Sequence, residues 1–214
     1  MTRRDIPGAL NGSRLLEQPR YAAEVAAWRA ALRRNAPVLL EIGFDHGRRL
    51  AATAARWPGW QVVGMEVRRR RVTQVERIRA TRGLTNLLPW RVDARTALAT
   101  VTPPACLDVV EVLFPTPWWD PKLRAKRLLL TPPFVADVAR ALRPGGALII
   151  ATDVDEIAAA VAEALASCPT LAPDPLAWAA RPAIDARSRR EWRCAQDGLE
   201  VHRFGLRRLP AADV

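Results

Sequence analysis

Three acids, Glu41, Glu66 and Asp93, each stand where a short apolar run gives out: Glu41-Ile42-Gly43-Phe44-Asp45-His46-Gly47, Gly64-Met65-Glu66-Val67 and Val92-Asp93-Ala94. A carboxylate in such a place can accept hydrogen bonds from an ammonium group, a pair of ribose hydroxyls or an adenine amino group. Gly43 and Gly47 let the backbone turn tightly and approach a ligand, and the helix amides after Gly47 face an anionic group. Asp45 occupies the position that is the middle glycine of a dinucleotide fingerprint, and its charge repels a pyrophosphate. This argues against a nicotinamide dinucleotide and for a cationic ligand without phosphate, a description that S-adenosylmethionine fits through its sulfonium and ammonium. Any one of these acids could equally cap the helix after it; three at successive strand ends favour the ligand.

Strands must hold these acids in a row. The run 38–42 is apolar without alternation, as a strand buried on both faces should be. Similar runs lie at 61–65, 87–92, 107–114 and 147–151, separated by helical stretches at 48–56, 68–82, 94–100 and 131–142, with another helix at 154–166. Pro144-Gly145-Gly146 stops the helix before the fifth run. Ahead of the first strand, Tyr21, Val25, Trp28 and Leu32 recur on one helical face, and Asn35-Ala36-Pro37 ends that helix. Strands alternating with helices mean βαβ units and a parallel sheet, with ligands beyond the carboxyl ends of the strands. After Cys168 prolines interrupt the pattern, and only 201–209 reads as a final strand, an edge of the same domain. The expected organisation is one domain: residues 1–36 as an N-terminal arm and packing helix, and 37–214 as the Rossmann-like core.

The chain has 214 residues, half of them apolar, and Lys+Arg total 33 against Asp+Glu 22, a formal net charge of +11. This excludes a disordered tail and points to a polyanionic partner. All the basic residues except Lys122 and Lys126 are arginine. Arginines 68–71, 77, 79 and 82 fall in one predicted helix, where some must face solvent whatever the ligand. Lys122, Arg124, Lys126 and Arg127 are better placed for phosphates, and Arg3, Arg4 and Arg14 could form a basic arm. Cys106, Cys168 and Cys194 have neither disulfide nor zinc spacing. No metal site, signal peptide or membrane span is expected, and a cytoplasmic protein, monomer or homodimer, is the working picture.

The segments LLEIGFDHG (39–47), GMEV (64–67), GLTNLLPWRVDA (83–94), FPTPWWDPKLRAKRLLLTPPF (114–134), LRPGGALIIATD (142–153) and SRREWR (188–193) resemble, in order, the bacterial tRNA (guanine-N7)-methyltransferase family. The resemblance covers roughly 38–206. It implies a class I S-adenosylmethionine-dependent methyltransferase fold, α/β, with a Rossmann-like, mostly parallel sheet and helices on both faces. It also implies methyl transfer from S-adenosylmethionine to guanine N7 in tRNA, at position 46 of the variable loop. Carried over residue by residue, Glu41, Glu66 and Asp93, with Gly43 and Gly47, fall on the cofactor site. Asp153, Ser188, Glu191 and Arg193 fall on positions for the target nucleoside, and Lys122 and Arg124 near the substrate lysine.

Thr116 stands where the family has an acid assigned to catalysis and to cofactor or substrate contact. Either Asp120, from the longer Trp118-Trp119-Asp120 segment, reaches the same place, or the relative has lost or redirected its activity. The alternatives are therefore an enzyme acting on another RNA or a small molecule, and a catalytically impaired tRNA-binding relative. His46 reads as a turn residue, Cys194 as a packed thiol, and His202 has no identifiable partner.

Overall fold

Five strands carry the first five apolar runs: β1 (Val38–Ile42), β2 (Gln61–Glu66), β3 (Leu87–Arg91), β4 (Leu107–Leu113) and β5 (Leu142–Thr152). In the computed structural model, which describes residues 15–33, 35–116 and 128–210, they lie parallel in one seven-stranded sheet of order β3-β2-β1-β4-β5-β7-β6. β7 (His202–Arg208) runs antiparallel to both β5 and β6 (Leu171–Pro173). The expected Rossmann-like, mostly parallel sheet is thus present. Strand order reverses between β1 and β4, which puts the ligand crevice of such a sheet at their carboxyl ends.

Seven α-helices are described: α1 (Ala22–Leu32), α2 (Arg48–Arg56), α3 (Arg69–Arg82), α4 (Ala94–Thr100), α5 (Pro132–Ala141), α6 (Asp155–Ala166) and α7 (Arg189–Asp197). Both sheet faces are covered. Alternate residues of β1 divide between two cores: Val38, Leu40 and Ile42 pack with α1, α4, α5 and α6, and Leu39 packs with α2 and α3. Glu41 shares the parity of Leu39 and therefore points to the α2 side. On α1 the buried residues are Val25, Trp28, Ala31 and Leu32, with Tyr21 partly buried, as the helical spacing predicts.

Three elements differ from the sequence reading. β5 begins at Leu142, because the chain turns extended immediately after α5 and Leu142 pairs with Leu107. Pro144-Gly145-Gly146 then forms an irregularity within the strand, and regular pairing resumes at Val109 with Ala147. β6 is three residues long and ends in proline, too short to show a period and tolerable only at a sheet edge. α7 has no apolar period in the sequence to mark it, although Ser188 and Glu191 announce its start.

Candidate functional site

β1, β2 and β3 are neighbours, so their carboxyl ends form one rim, and the three acids of the sequence reading lie along it in chain order. All are buried, at 4%, 5% and 4% exposure for Glu41, Glu66 and Asp93. Their surroundings differ. Asp93 caps α4: its carboxylate accepts the Arg95 backbone N–H at 3.0 Å and takes two further bonds from the Arg95 guanidinium, at 3.0 and 2.6 Å. Glu66 accepts the Arg68 N–H at 2.9 Å and Arg71 Nη1 at 3.2 Å. Arg71 also pairs with Asp45, tying the glycine turn to the end of β2. The capping alternative is therefore realised at Asp93, and closely mimicked at Glu66, without exhausting either carboxylate's lone pairs.

Glu41 caps nothing. Among the described residues its Oε2 is buried without a hydrogen-bond partner, and the nearest cation there, Arg49 Nη1, is 3.8 Å away. Burial is the main reason its pKa is pushed up to about 7; Arg49 opposes the rise and Glu111, its cross-strand neighbour on β4, adds to it. Glu111 is fully buried, and its pKa is likewise raised, by burial above all. Arg49 holds Glu111 with both terminal nitrogens, at 2.5 and 2.7 Å. Neither Arg49 nor Glu111 was picked out from the sequence. The signal was an acid inside an otherwise apolar strand, which a buried position tolerates only with a partner.

The glycine turn serves two purposes. Gly43 has a φ of +78°, and a Cβ built there would meet none of the described residues within 4 Å. Gly47 has a φ of +66°, and a Cβ there would lie 2.1 Å from Val75 Cγ2; its close approach is to α3, not to free space. His46 is a turn residue with Gln74 Oε1 at 3.4 Å.

The positions implied for the target nucleoside come together on the other side of the crossover. Ser188 caps α7, accepting the Glu191 N–H at 3.1 Å, while the Glu191 carboxylate accepts the Ser188 N–H at 3.4 Å. The Ser-x-x-Glu element is thus a capping box, a pattern legible in sequence. Asp153, just beyond β5, accepts Arg190 Nε of the same helix at 3.0 Å. Glu191 also lines a cleft of about 220 Å³ with Arg187 and Arg203. Arg193 is exposed. Cys194 is buried at 1% exposure, with burial raising its pKa, as a packed thiol should be. His202 does have a partner, Asp155 Oδ1 at 2.7 Å.

Thr116 is exposed in the loop after β4. Asp120, Lys122 and Arg124, with Trp118, Trp119, Lys126 and Arg127, lie outside the described residues, as do Arg3, Arg4 and Arg14. Of the α3 arginine group, Arg71 turns inward, whereas Arg68, Arg69, Arg70, Arg77, Arg79 and Arg82 are exposed. Among the described residues no cluster of three His, Cys, Asp or Glu could hold a metal ion, and no helix is long and apolar enough to cross a membrane.

A family model described as "Putative methyltransferase" matches residues 35–204. The tRNA (guanine-N(7)-)-methyltransferase of Burkholderia vietnamiensis (strain G4 / LMG 22486) is 38% identical over 162 residues, 76% of this chain and 63% of that protein. The protein of the same name from Burkholderia pseudomallei (strain K96243) is 36% identical over 76% of this chain and 61% of its own. This chain thus spans just over three fifths of those relatives' length. Among solved structures, TrmN from Thermus thermophilus superposes with a TM-score of 0.56 at 19% identity, over 89% of this chain and 49% of that one. The 16S rRNA methyltransferase KamB gives 0.55 at 18%, over 96% and 98%. At such identities the likeness is one of fold, that of class I methyltransferases.

Proposed function

The chain belongs to the methyltransferase family whose curated relatives are named tRNA (guanine-N(7)-)-methyltransferase, and from that membership we propose that it transfers a methyl group from S-adenosylmethionine to N7 of a guanine in tRNA, at variable-loop position 46. A cytoplasmic setting goes with that substrate. The observation that carries the reading is Glu41: a buried carboxylate at the crossover end of β1, with an oxygen that no group among the described residues satisfies. A ligand ammonium answers that deficit, and a phosphate would worsen it.

Bound S-adenosylmethionine supplies a methyl carbon made electrophilic by its sulfonium. In this proposal Glu41 takes the ammonium. Glu66 accepts the ribose hydroxyls with the lone pairs that Arg68 and Arg71 leave over, and Asp93 accepts the adenine amino group beside its capping bonds. Gly43 leaves the approach clear, and Gly47 sets the turn. Asp153, Ser188, Glu191 and Arg193 receive the nucleoside, while Lys122 and Arg124 meet backbone phosphates.

Guanine N7 carries an in-plane lone pair and no proton at neutral pH, so the protein need not supply a general base. Its task is alignment, which can account for about 7–11 kcal/mol of a barrier. The methylated ring is cationic, and a nearby carboxylate stabilises the developing charge. Thr116 can accept a hydrogen bond but offers no charge. By analogy with loss of one electrostatic stabiliser, its presence costs about 10²–10³ in rate unless Asp120 takes over. That uncharged hydroxyl also favours a second reading, a tRNA-binding relative with impaired catalysis.

Incubation with methyl-labelled S-adenosylmethionine and unmodified tRNA, followed by mapping of N7-methylguanine through its chemical lability, tests the proposal. Label at guanine N7 in the variable loop is the expected result. Cofactor binding with no label in tRNA favours the impaired relative. Label in another RNA or a small molecule redirects the substrate. Unchanged turnover in D120N removes Asp120 from the reaction.

A further inference from the structure

Four charged side chains meet beneath the end of β1: Glu41, Glu111 on β4, Arg49 from α2, and Arg181, which follows the 3-10 turn Pro175–Ala180. Their formal charges cancel, but their hydrogen bonds are unequally shared. Glu111 receives Arg49 Nη1 at 2.5 Å and Nη2 at 2.7 Å. Arg181 leans the same way, with Nη1 3.8 Å from Glu111 Oε1 and its guanidinium carbon 4.8 Å over the Trp178 ring. Glu41 Oε2 is left 3.8 Å from Arg49 Nη1, beyond hydrogen-bond length, and has no partner among the described residues.

A guanidinium beside an unsatisfied buried carboxylate closes on it unless something stronger holds it back, because the bond is charge-assisted and the orphan oxygen has lost its water. For Arg49 the restraint is visible; Arg181, whose Nη1 likewise has no hydrogen-bond partner among the described residues, lies over the Trp178 ring instead. Glu111 occupies both arms of the Arg49 fork, in the bidentate geometry that best fixes a guanidinium.

We propose that Glu111 is a positioning residue that holds Arg49 off Glu41 and so reserves the Glu41 carboxylate for the primary ammonium of the bound cofactor. This rests on the cofactor reading given above. The groups facing Glu41 are Arg49 from α2, Glu111 from β4 and Arg181 from the segment after the turn; Glu191 from α7 acts on Glu111. With Glu41 titrating at about 7, ammonium binding strengthens as the solution goes from acid to mildly alkaline. Loss of the Glu111 charge and closure of Arg49 both draw Glu41 back toward the ordinary carboxylate range. In E111Q the rise in affinity therefore moves to lower pH, and its plateau is weaker because a cation of the chain already occupies the site.

Calorimetric titration at pH 8 with two ligands separates this role from a general structural one. S-adenosylhomocysteine carries the ammonium, and 5′-methylthioadenosine lacks the whole amino-acid end. E111Q is expected to weaken S-adenosylhomocysteine about tenfold or more and to leave 5′-methylthioadenosine within about twofold. R49Q/E111Q, which removes the guanidinium that E111Q releases and leaves Arg181 as it stands, restores the first ligand. E111D keeps the charge but withdraws the carboxylate by one methylene; it gives the same selective loss in milder form if E111Q does not fold. Equal weakening of both ligands, or undiminished S-adenosylhomocysteine binding in the folded single variants, overturns the proposal. A wild-type protein that binds neither ligand overturns the cofactor reading itself, and this inference with it.

Discussion

The two halves of the rim carry the same residue type at corresponding places and leave it in opposite states. On the β2–β3 side, Glu66 and Asp93 are met by the chain itself, through the N–H groups of Arg68 and Arg95 and the guanidinium groups of Arg71 and Arg95. On the β1–β4 side, Glu41 has an oxygen that meets no donor among the described residues, although two guanidinium groups lie close. The cause is local at first. α3 begins at Arg69 and α4 at Ala94, so amides two residues on reach back to the acid; after Glu41 the glycine turn intervenes and α2 begins only at Arg48. Glu111 then takes up both arms of Arg49, the cation 3.8 Å away. An acid whose needs are met inside the fold stabilises it, and one whose needs are unmet burdens it until a ligand arrives.

The largest effect that sharpens this contrast belongs to Glu41. E41Q should lower S-adenosylhomocysteine affinity about a hundredfold, the scale for removing one partner of a desolvated charge pair. It should also change the stability of the free protein in the opposite sense. The folded pKa of Glu41, about 7, exceeds its ordinary 4.5, so the folded state holds the proton more tightly. Wild-type stability then falls by about 3 kcal/mol as pH rises through that window. E41Q lacks this fall, and urea unfolding at pH 5 and pH 8 should show it gaining on the wild type at the higher pH. A variant that is instead less stable than wild type at pH 8 breaks the comparison.

D93A should behave oppositely, losing about 1 kcal/mol of stability with its cap. D93N, which keeps an acceptor, should lose only part of that; thermal unfolding reads both. S188A should cost a similar cap energy, about 1 kcal/mol, and leave S-adenosylhomocysteine affinity unchanged by calorimetry, because the hydrogen bonds of Ser188 stay within the α7 cap. Smallest is R71Q. The Arg71 side chain is partly solvated, so breaking its links to Asp45 and Glu66 should cost less than about 1 kcal/mol in urea unfolding. A larger loss would mean that the glycine turn depends on that bridge.

Much of the fold was legible because its signals are local. Unbroken apolar runs marked β1 to β5, and the face formed by Val25, Trp28 and Leu32 marked α1. β6 escaped because three residues show no period. α7 escaped because only Cys194 of its nine residues is buried, so no apolar face marks the helix. At the site, the three acids could be placed from strand ends alone. Arg49 and Glu111 could not, since an arginine in α2 and an acid in β4, 62 residues apart, give no sign in sequence that they pair.

Sequence alone determined that acids stand at the ends of three successive strands and that a tight glycine turn follows the first, because strand period and turn chemistry act over a few neighbouring residues. Which of those acids the chain satisfies, and which it leaves wanting, was decided only in three dimensions. Hydrogen bonding inside a protein depends on which donors arrive within 3 Å or so, and for Glu41 that outcome was set by a carboxylate on the adjoining strand.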